Sequence, residues 1–437
     1  MDLDIAPVRR QDIRMKLSLL LLLPPFMSAA ESLPADLIRA DFQQLYETLQ
    51  QNDPGLFATF DKAHYDQLYR ITLDGIAGDE EVAEIAKRFQ LFVAAAGDSH
   101  TRIDANYAAF RDYQAKGGRS FPLYIKLVHG RYYVAEDRSG VKGVHRGEEI
   151  FALNREPIRS VFARAALNLS ADNAYMAQTQ LETDFPMALW LDLGPKTDHV
   201  ELTFARRRVT FHKTIPFLTE KEMEANAKRE EPVLALNGHL RMARVFGEVA
   251  YLRPGPFRNF RGGRDDHEFR DWLEDGFRGF LSRETKILLI DLRDNPGGSE
   301  AFALDLMGWF APRPYRLHRA DDPTDPRPVP RFEGKIFVLV NRNSFSSCAV
   351  LAAAVQDQHF GLILGERTSD LATGEAAIQT FELDNSHLVV GYPTSHMVRI
   401  AGEEAPRFVL PDLLIDTPVI EGPEDPVLRQ ALDLVTK

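Results

Sequence analysis

Apolar and polar positions change their spacing twice along this chain, and the changes divide it. From about Pro34 to Ala96, in "LIRADFQQLYETLQ" and "EEVAEIAKRFQLFVAAA", apolar residues recur at i, i+3, i+4 and i+7, the stripe of helices that bury one face. This spacing predicts an N-terminal helical unit over 31–100. It stops at Gly97, and strand-like alternation begins at Thr101-Arg102-Ile103. From Phe121 to Lys213 the period becomes two, in short runs between turns: "FPLYIKLVHGRYYVAED", "GVHRGEEIFALNREPI" and "HVELTFARRRVTFHK". A β-rich segment is expected over 121–213.

From Val245 onward near-continuous apolar runs ("EVAYLRPG", "KILLIDLR", "KIFVLV", "GLILGE") alternate with helical patterns, one of them from Asp266 to Phe280. Strands buried on both faces and separated by helices predict an α/β core over 214–437 with a parallel or mixed sheet. Ligands of such sheets gather at the C-terminal ends of the strands.

Composition changes this picture little. The 437 residues are 44% hydrophobic and 27% charged, an ordinary globular balance with enough length for two or three packed units. A net charge of −12 argues against a nucleic-acid partner, which needs clustered Lys and Arg; the Arg206-Arg207-Arg208 run is short and reads as a solvated strand end. The single cysteine, Cys348, can form no internal disulfide, so the fold must rest on its core.

At the N-terminus, "MKLSLLLLLPPFMSAAES" orders a positive charge, an apolar run from Leu17 to Leu23, and small residues before Glu31. That order predicts a signal peptide over 1–30 with cleavage near Ala30, hence a secreted or periplasmic protein. A buried N-terminal helix is the alternative. The apolar run is too short for a membrane span.

Two strand-end turns can carry chemistry. "KIFVLVNRNSFSSCAVLAAAVQDQ" passes from an apolar strand through Ser344, Ser346 and Ser347 into an alanine-rich helix. The first N–H groups of a helix are unpaired and sit at the positive end of its dipole, so they can hold an oxyanion. A serine there can be a nucleophile or an N-cap, and local sequence allows both. "ILLIDLRDNPGGSEAF" ends a second strand at Asn295-Pro296-Gly297-Gly298. Paired glycines permit close backbone approach and can supply a further N–H donor, although the same tetrad also makes a plain turn. There is no HExxH, and the pattern predicts neither metal nor cofactor.

Taken in order, "YETLQQNDPGLF", "AAAGDSHTRI", "LLIDLRDNPGG", "FVLVNRNSFSSCAVLAAAVQDQHFGLILGERT" and "VLPDLLI" resemble the S41 peptidases, the family of C-terminal processing (tail-specific) and tricorn-type proteases. Residues 143–158 also resemble the strand-turn of a PDZ domain, a module that adds a peptide to a sheet edge; an ordinary β hairpin fits them equally. The S41 resemblance implies a ClpP/crotonase-like ββα-repeat core and a nucleophile at Ser346 in "SFSSC". It further implies oxyanion donors from the Gly297-Gly298 pair and the Ser347 N–H.

The processing-protease branch of the family uses a lysine after the serine. None occurs between Lys335 and Lys437, so the resemblance narrows to the tricorn-type branch, with His100 as base, Ser99 beside it and Glu404 as orienting acid; Glu403 competes for that place. Outside the motif, His100 reads as a histidine packed at a helix end or as a structural partner of Asp98. The implied function is an exported serine endopeptidase acting on peptide or unfolded protein. An inactive peptide- or ligand-binding relative of the same fold is the second reading. Acyl-CoA chemistry on the same core conflicts with export. Nothing in the sequence sets the oligomeric state.

Overall fold

The computed structural model describes residues 32–206, 209–227, 241–259, 267–419 and 425–437. The leader expected over 1–30 lies outside them, as do Arg207, Arg208 and Asp266.

The core is a six-stranded sheet in the order Met242–Phe246, Val249–Arg253, Ile287–Asp291, Lys335–Val340, Leu362–Gly365, Leu413–Leu414. The first pair is antiparallel and the rest are parallel. Helices His267–Ser282, Glu300–Met307 and Ser347–Asp357 make the crossovers. Period-two alternation sorts the strand residues onto two faces. Ala250, Leu252, Leu288, Ile290, Ile336, Val338 and Val340 pack with the crossover helices. Val249, Tyr251, Ile287, Leu289, Phe337 and Leu339 pack toward the Pro426–Val435 helix. Both faces are covered, which is why these strands read as unbroken apolar runs.

The segment expected to be β-rich folds as an antiparallel sheet of Leu123–Val128, Arg131–Asp137, Glu149–Leu153, His199–Arg206 and Val209–Pro216. Its Asn154-Arg155 turn has positive φ at both residues, 48° and 67°, the geometry of a tight hairpin. Two helices, Ile158–Ala166 and Ala174–Leu193, lie within it and share its core. No single stripe marks the second in the sequence, because its apolar and polar residues are both spread around its circumference and it carries Pro186.

The N-terminal helices Ala35–Asn52, Lys62–Asp74 and Val82–Ala94 do not make a core alone. Phe42, Leu45, Phe89 and Phe92 pack with Leu383, Leu388, Val390 and Tyr392 from the hairpin of Gly374–Glu382 and Val389–Met397. The short strand Arg102–Ile103 completes this sheet by pairing with Val390 and Gly391. That pairing sets the Gly97–Thr101 turn beside the hairpin, with the His100 carbonyl lying against Gly391. Among the described residues no helix is long and apolar enough to cross a membrane.

Candidate active site

The three serines separate by environment. Ser344 is fully buried; its hydroxyl donates to the Leu292 carbonyl at 2.8 Å and accepts from the Asn341 N–H at 3.0 Å, so it braces two strand ends. Ser347 is buried as the first residue of its helix. Ser346 is the exposed one. It occupies the N-cap position yet makes no side-chain cap bond, and its backbone is held at φ 53°, ψ −135°, a sparsely populated region for a residue with a β-carbon.

The glycine turn lies against it. Phe345 N–H donates to the Asn295 carbonyl at 2.9 Å, and Gly297 N–H is taken by the Asn295 side chain at 2.9 Å. A β-carbon on Gly297 would stand 2.8 Å from that of Ser346 and 3.1 Å from the Ser347 nitrogen. One on Gly298, at φ 138°, would stand 2.2 Å from the Phe257 carbonyl oxygen. Close approach therefore requires glycine at both places. Among the described residues neither the Gly298 nor the Ser347 N–H has an acceptor. The pair thus offers two unpaired donors beside Ser346, with Gly297 serving as the spacer.

His100 sits in the turn after Val82–Ala94. Asp98 Oδ1 accepts from the His100 backbone N–H at 3.1 Å and lies 3.2 Å from the ring Nδ1, while Ser99 Oγ is 3.4 Å from the same nitrogen. Asp98 Oδ2 takes the Thr101 N–H and hydroxyl, and that hydroxyl also contacts Asp53 Oδ2 at 2.7 Å. Asp172 Oδ1 accepts the Ser99 N–H at 3.2 Å. From the core, the buried Asp370 accepts the N–H groups of Ser346 and Leu371.

The charges are unbalanced. Burial pulls the His100 imidazole down, but the Asp98 hydrogen bond and charge, with the charges of Asp172 and Asp370, hold it above its ordinary value. Burial raises the Asp98 carboxyl, yet His100 and Thr101 outweigh it and keep it below the usual range. Burial, then repulsion from Asp370 and Asp98, pushes Asp172 up to about 7. Burial also raises Asp370, against its two N–H donors. Asp98, His100 and Asp172 bring one ligand atom each within 4.8 Å of one another, a spacing a cation could span. The carboxylates are already committed as acceptors of backbone N–H groups, and the set reads as a site for protons.

Glu404 is exposed, and no interaction ties it to His100. Its loop is anchored by the Ala401 N–H on Asp357 Oδ2 at 2.9 Å, at the end of the Ser347–Asp357 helix away from Ser346. Glu403 lies 3.3 Å from His396. The carboxylate in contact with the His100 ring is Asp98, two residues away, where only short spacing hinted at it. Asp172 and Asp370 come from distant segments that no local pattern marks. Cys348 is buried against Leu292, and burial raises its thiol well above the ordinary value, so it is not a thiolate.

An exposed serine at a crossover-helix N-terminus with unpaired N–H groups beside it is an arrangement that can support acyl transfer. Residues 248–415 match peptidase family S41. The chain is 31% identical over 136 residues to a tail-specific protease of Haemophilus influenzae, covering 28% of this chain and 19% of that protein. It is 26% identical over 206 residues to a carboxyl-terminal-processing protease of Synechocystis, covering 43% and 44%. The chain thus spans less than half the length of these curated relatives. Its fold is similar to that of mature CPAF complexed with lactacystin, at 16% identity and a TM-score of 0.63, covering 92% of this chain and 98% of that one.

Proposed function

We propose that this protein is an exported serine endopeptidase acting on peptide or unfolded protein, with Ser346 as nucleophile and His100 as general base. The observation that carries the reading is the strained, exposed Ser346, which caps nothing and stands beside two unpaired N–H groups. An unassisted hydroxyl is too weak an acid to attack a peptide, so a neutral imidazole takes its proton as Oγ bonds to the carbonyl carbon. The carbonyl oxygen gains the negative charge, which the Gly298 and Ser347 N–H groups stabilise; one such donor is worth about 10²–10³ in rate.

As the tetrahedral species collapses, the peptide C–N bond breaks and the imidazolium returns its proton to the departing amine. Water, deprotonated by the same ring, then hydrolyses the acyl-serine and regenerates Ser346. In this reading Asp98 and Ser99 orient His100, and the Glu404 role implied by resemblance passes to Asp98. Digestion of an unfolded protein such as reduced casein is the direct test. Ser346→Ala is expected to lose cleavage by at least ~10³-fold; parent-like cleavage by Ser346→Ala defeats the proposal.

A further inference from the structure

The loop joining Leu362–Gly365 to Gly374–Glu382 holds a buried carboxylate, Asp370, against the backbone of Ser346. Asp370 accepts the Ser346 N–H on Oδ2 and the Leu371 N–H on Oδ1. The loop itself is fixed. Ser369 Oγ donates to the Arg342 carbonyl at 2.6 Å, Thr368 Oγ1 donates to the Asp370 carbonyl at 2.9 Å, and Asn173 Nδ2 donates to the Ser369 carbonyl at 3.0 Å. Arg342 lies on the turn that leads from the Lys335–Val340 strand into Ser346. Asp370 therefore cannot shift without moving the nucleophile turn.

Ser346 is not glycine, so its φ of 53° needs an external restraint, and an anionic acceptor on its amide is one. The charge of the same carboxylate acts on His100, together with those of Asp98 from its own turn and Asp172 from the β-rich unit. Of the three, Asp370 is the one that hydrogen-bonds Ser346, and its charge also acts on His100.

We propose that Asp370 is a positioning residue: its carboxylate clamps the Ser346 amide in the strained conformation and supplies negative charge against which the His100 imidazolium forms. The proposal rests on the reading of Ser346 and His100 as nucleophile and base. An asparagine keeps a carbonyl oxygen for the amide and removes the charge, whereas a glutamate keeps the charge and moves it by one methylene.

The test is the pH profile of fluorophosphonate labelling rate in the full chain, with thermal unfolding of each variant to verify folding. The parent rate should rise with pH as His100 loses its proton. In Asp370→Asn the midpoint of that rise is expected to fall by roughly half to one pH unit. In Asp370→Glu the midpoint should hold and the rate should drop about tenfold or more from misplacement of Ser346. A parent-like midpoint in folded Asp370→Asn overturns the charge role, and a parent-like rate in Asp370→Glu overturns the clamp; if the asparagine variant does not fold, the glutamate variant still decides the clamp. A folded parent that is never labelled overturns the nucleophile reading itself. A labelled parent with unmoved Asp370 variants overturns only the part given to Asp370.

Discussion

The backbone strain at Ser346, with φ 53° and ψ −135°, costs about 1–3 kcal/mol at a residue with a β-carbon. Glycine pays no steric penalty there, so Ser346→Gly should unfold at a higher temperature than Ser346→Ala, by the equivalent of about 1 kcal/mol, while both lose labelling. Equal melting temperatures would remove the strain.

The carboxylates around His100 make a second residue-level prediction. An Asp172 carboxyl held at about 7 favours the protonated form in the folded state. Its contribution to stability is therefore present below its unfolded value, near 4, and is lost as pH rises toward 7. His100, raised above its ordinary value, works in the same direction: its stabilising effect is present below about 6.5 and lost as pH rises through the folded value. Asp172→Asn, which keeps an oxygen for the Ser99 N–H, is expected to raise the melting temperature at pH 8 and to change it less and less toward pH 4. A gain that is independent of pH would contradict this.

Between elements, the junction of the β-rich unit with the core rests on one buried guanidinium. Arg342 Nη1 donates to Glu182 on the Ala174–Leu193 helix at 2.7 Å and to the Leu127 carbonyl at 2.7 Å, and its Nε reaches Glu366 at 3.0 Å. Burial raises the Glu182 carboxyl to about 7 even with Arg342 and Lys126 opposing it. Removing the cation leaves that buried carboxylate uncompensated, so Arg342→Ala should cost about 3–5 kcal/mol in urea unfolding at pH 8, and less at pH 5 where Glu182 takes up a proton. A loss under 1 kcal/mol at pH 8 would show that the junction is held by other contacts.

These elements also show what the sequence could disclose. The core strands Val249–Arg253, Ile287–Asp291 and Lys335–Val340 were legible because burial on both faces writes unbroken apolar runs. The Ala174–Leu193 helix was not, because apolar and polar residues spread all round a helix leave no period. Gly297 and Gly298 were legible as a turn, but which of them spaces and which donates depends on the Asn295 side chain taking the Gly297 N–H.

Across the whole molecule, the candidate site is assembled from three units that no local pattern joins. The helical unit delivers Asp98, Ser99 and His100; the β-rich unit delivers Asp172; the core delivers Gly298, Ser346, Ser347 and Asp370. Long-range pairing makes this possible: Ile103 lies opposite Val390 and Arg102 opposite Gly391, and Ser170 Oγ bonds the Thr101 carbonyl at 2.6 Å. Ser346 and His100 were nameable from motif order. The carboxylates that set their charge were hidden, because Asp172 and Asp370 become neighbours of His100 only after folding, and Glu404 drew notice by spacing while its loop is anchored elsewhere.

The central claim, an activated Ser346, is tested most directly by mapping a fluorophosphonate adduct on the folded chain by mass spectrometry. The expected result is one adduct on the peptide bearing Ser346, retained in Ser344→Ala and abolished in Ser346→Ala and His100→Ala. A folded parent without an adduct, or an adduct that persists in Ser346→Ala, would contradict it.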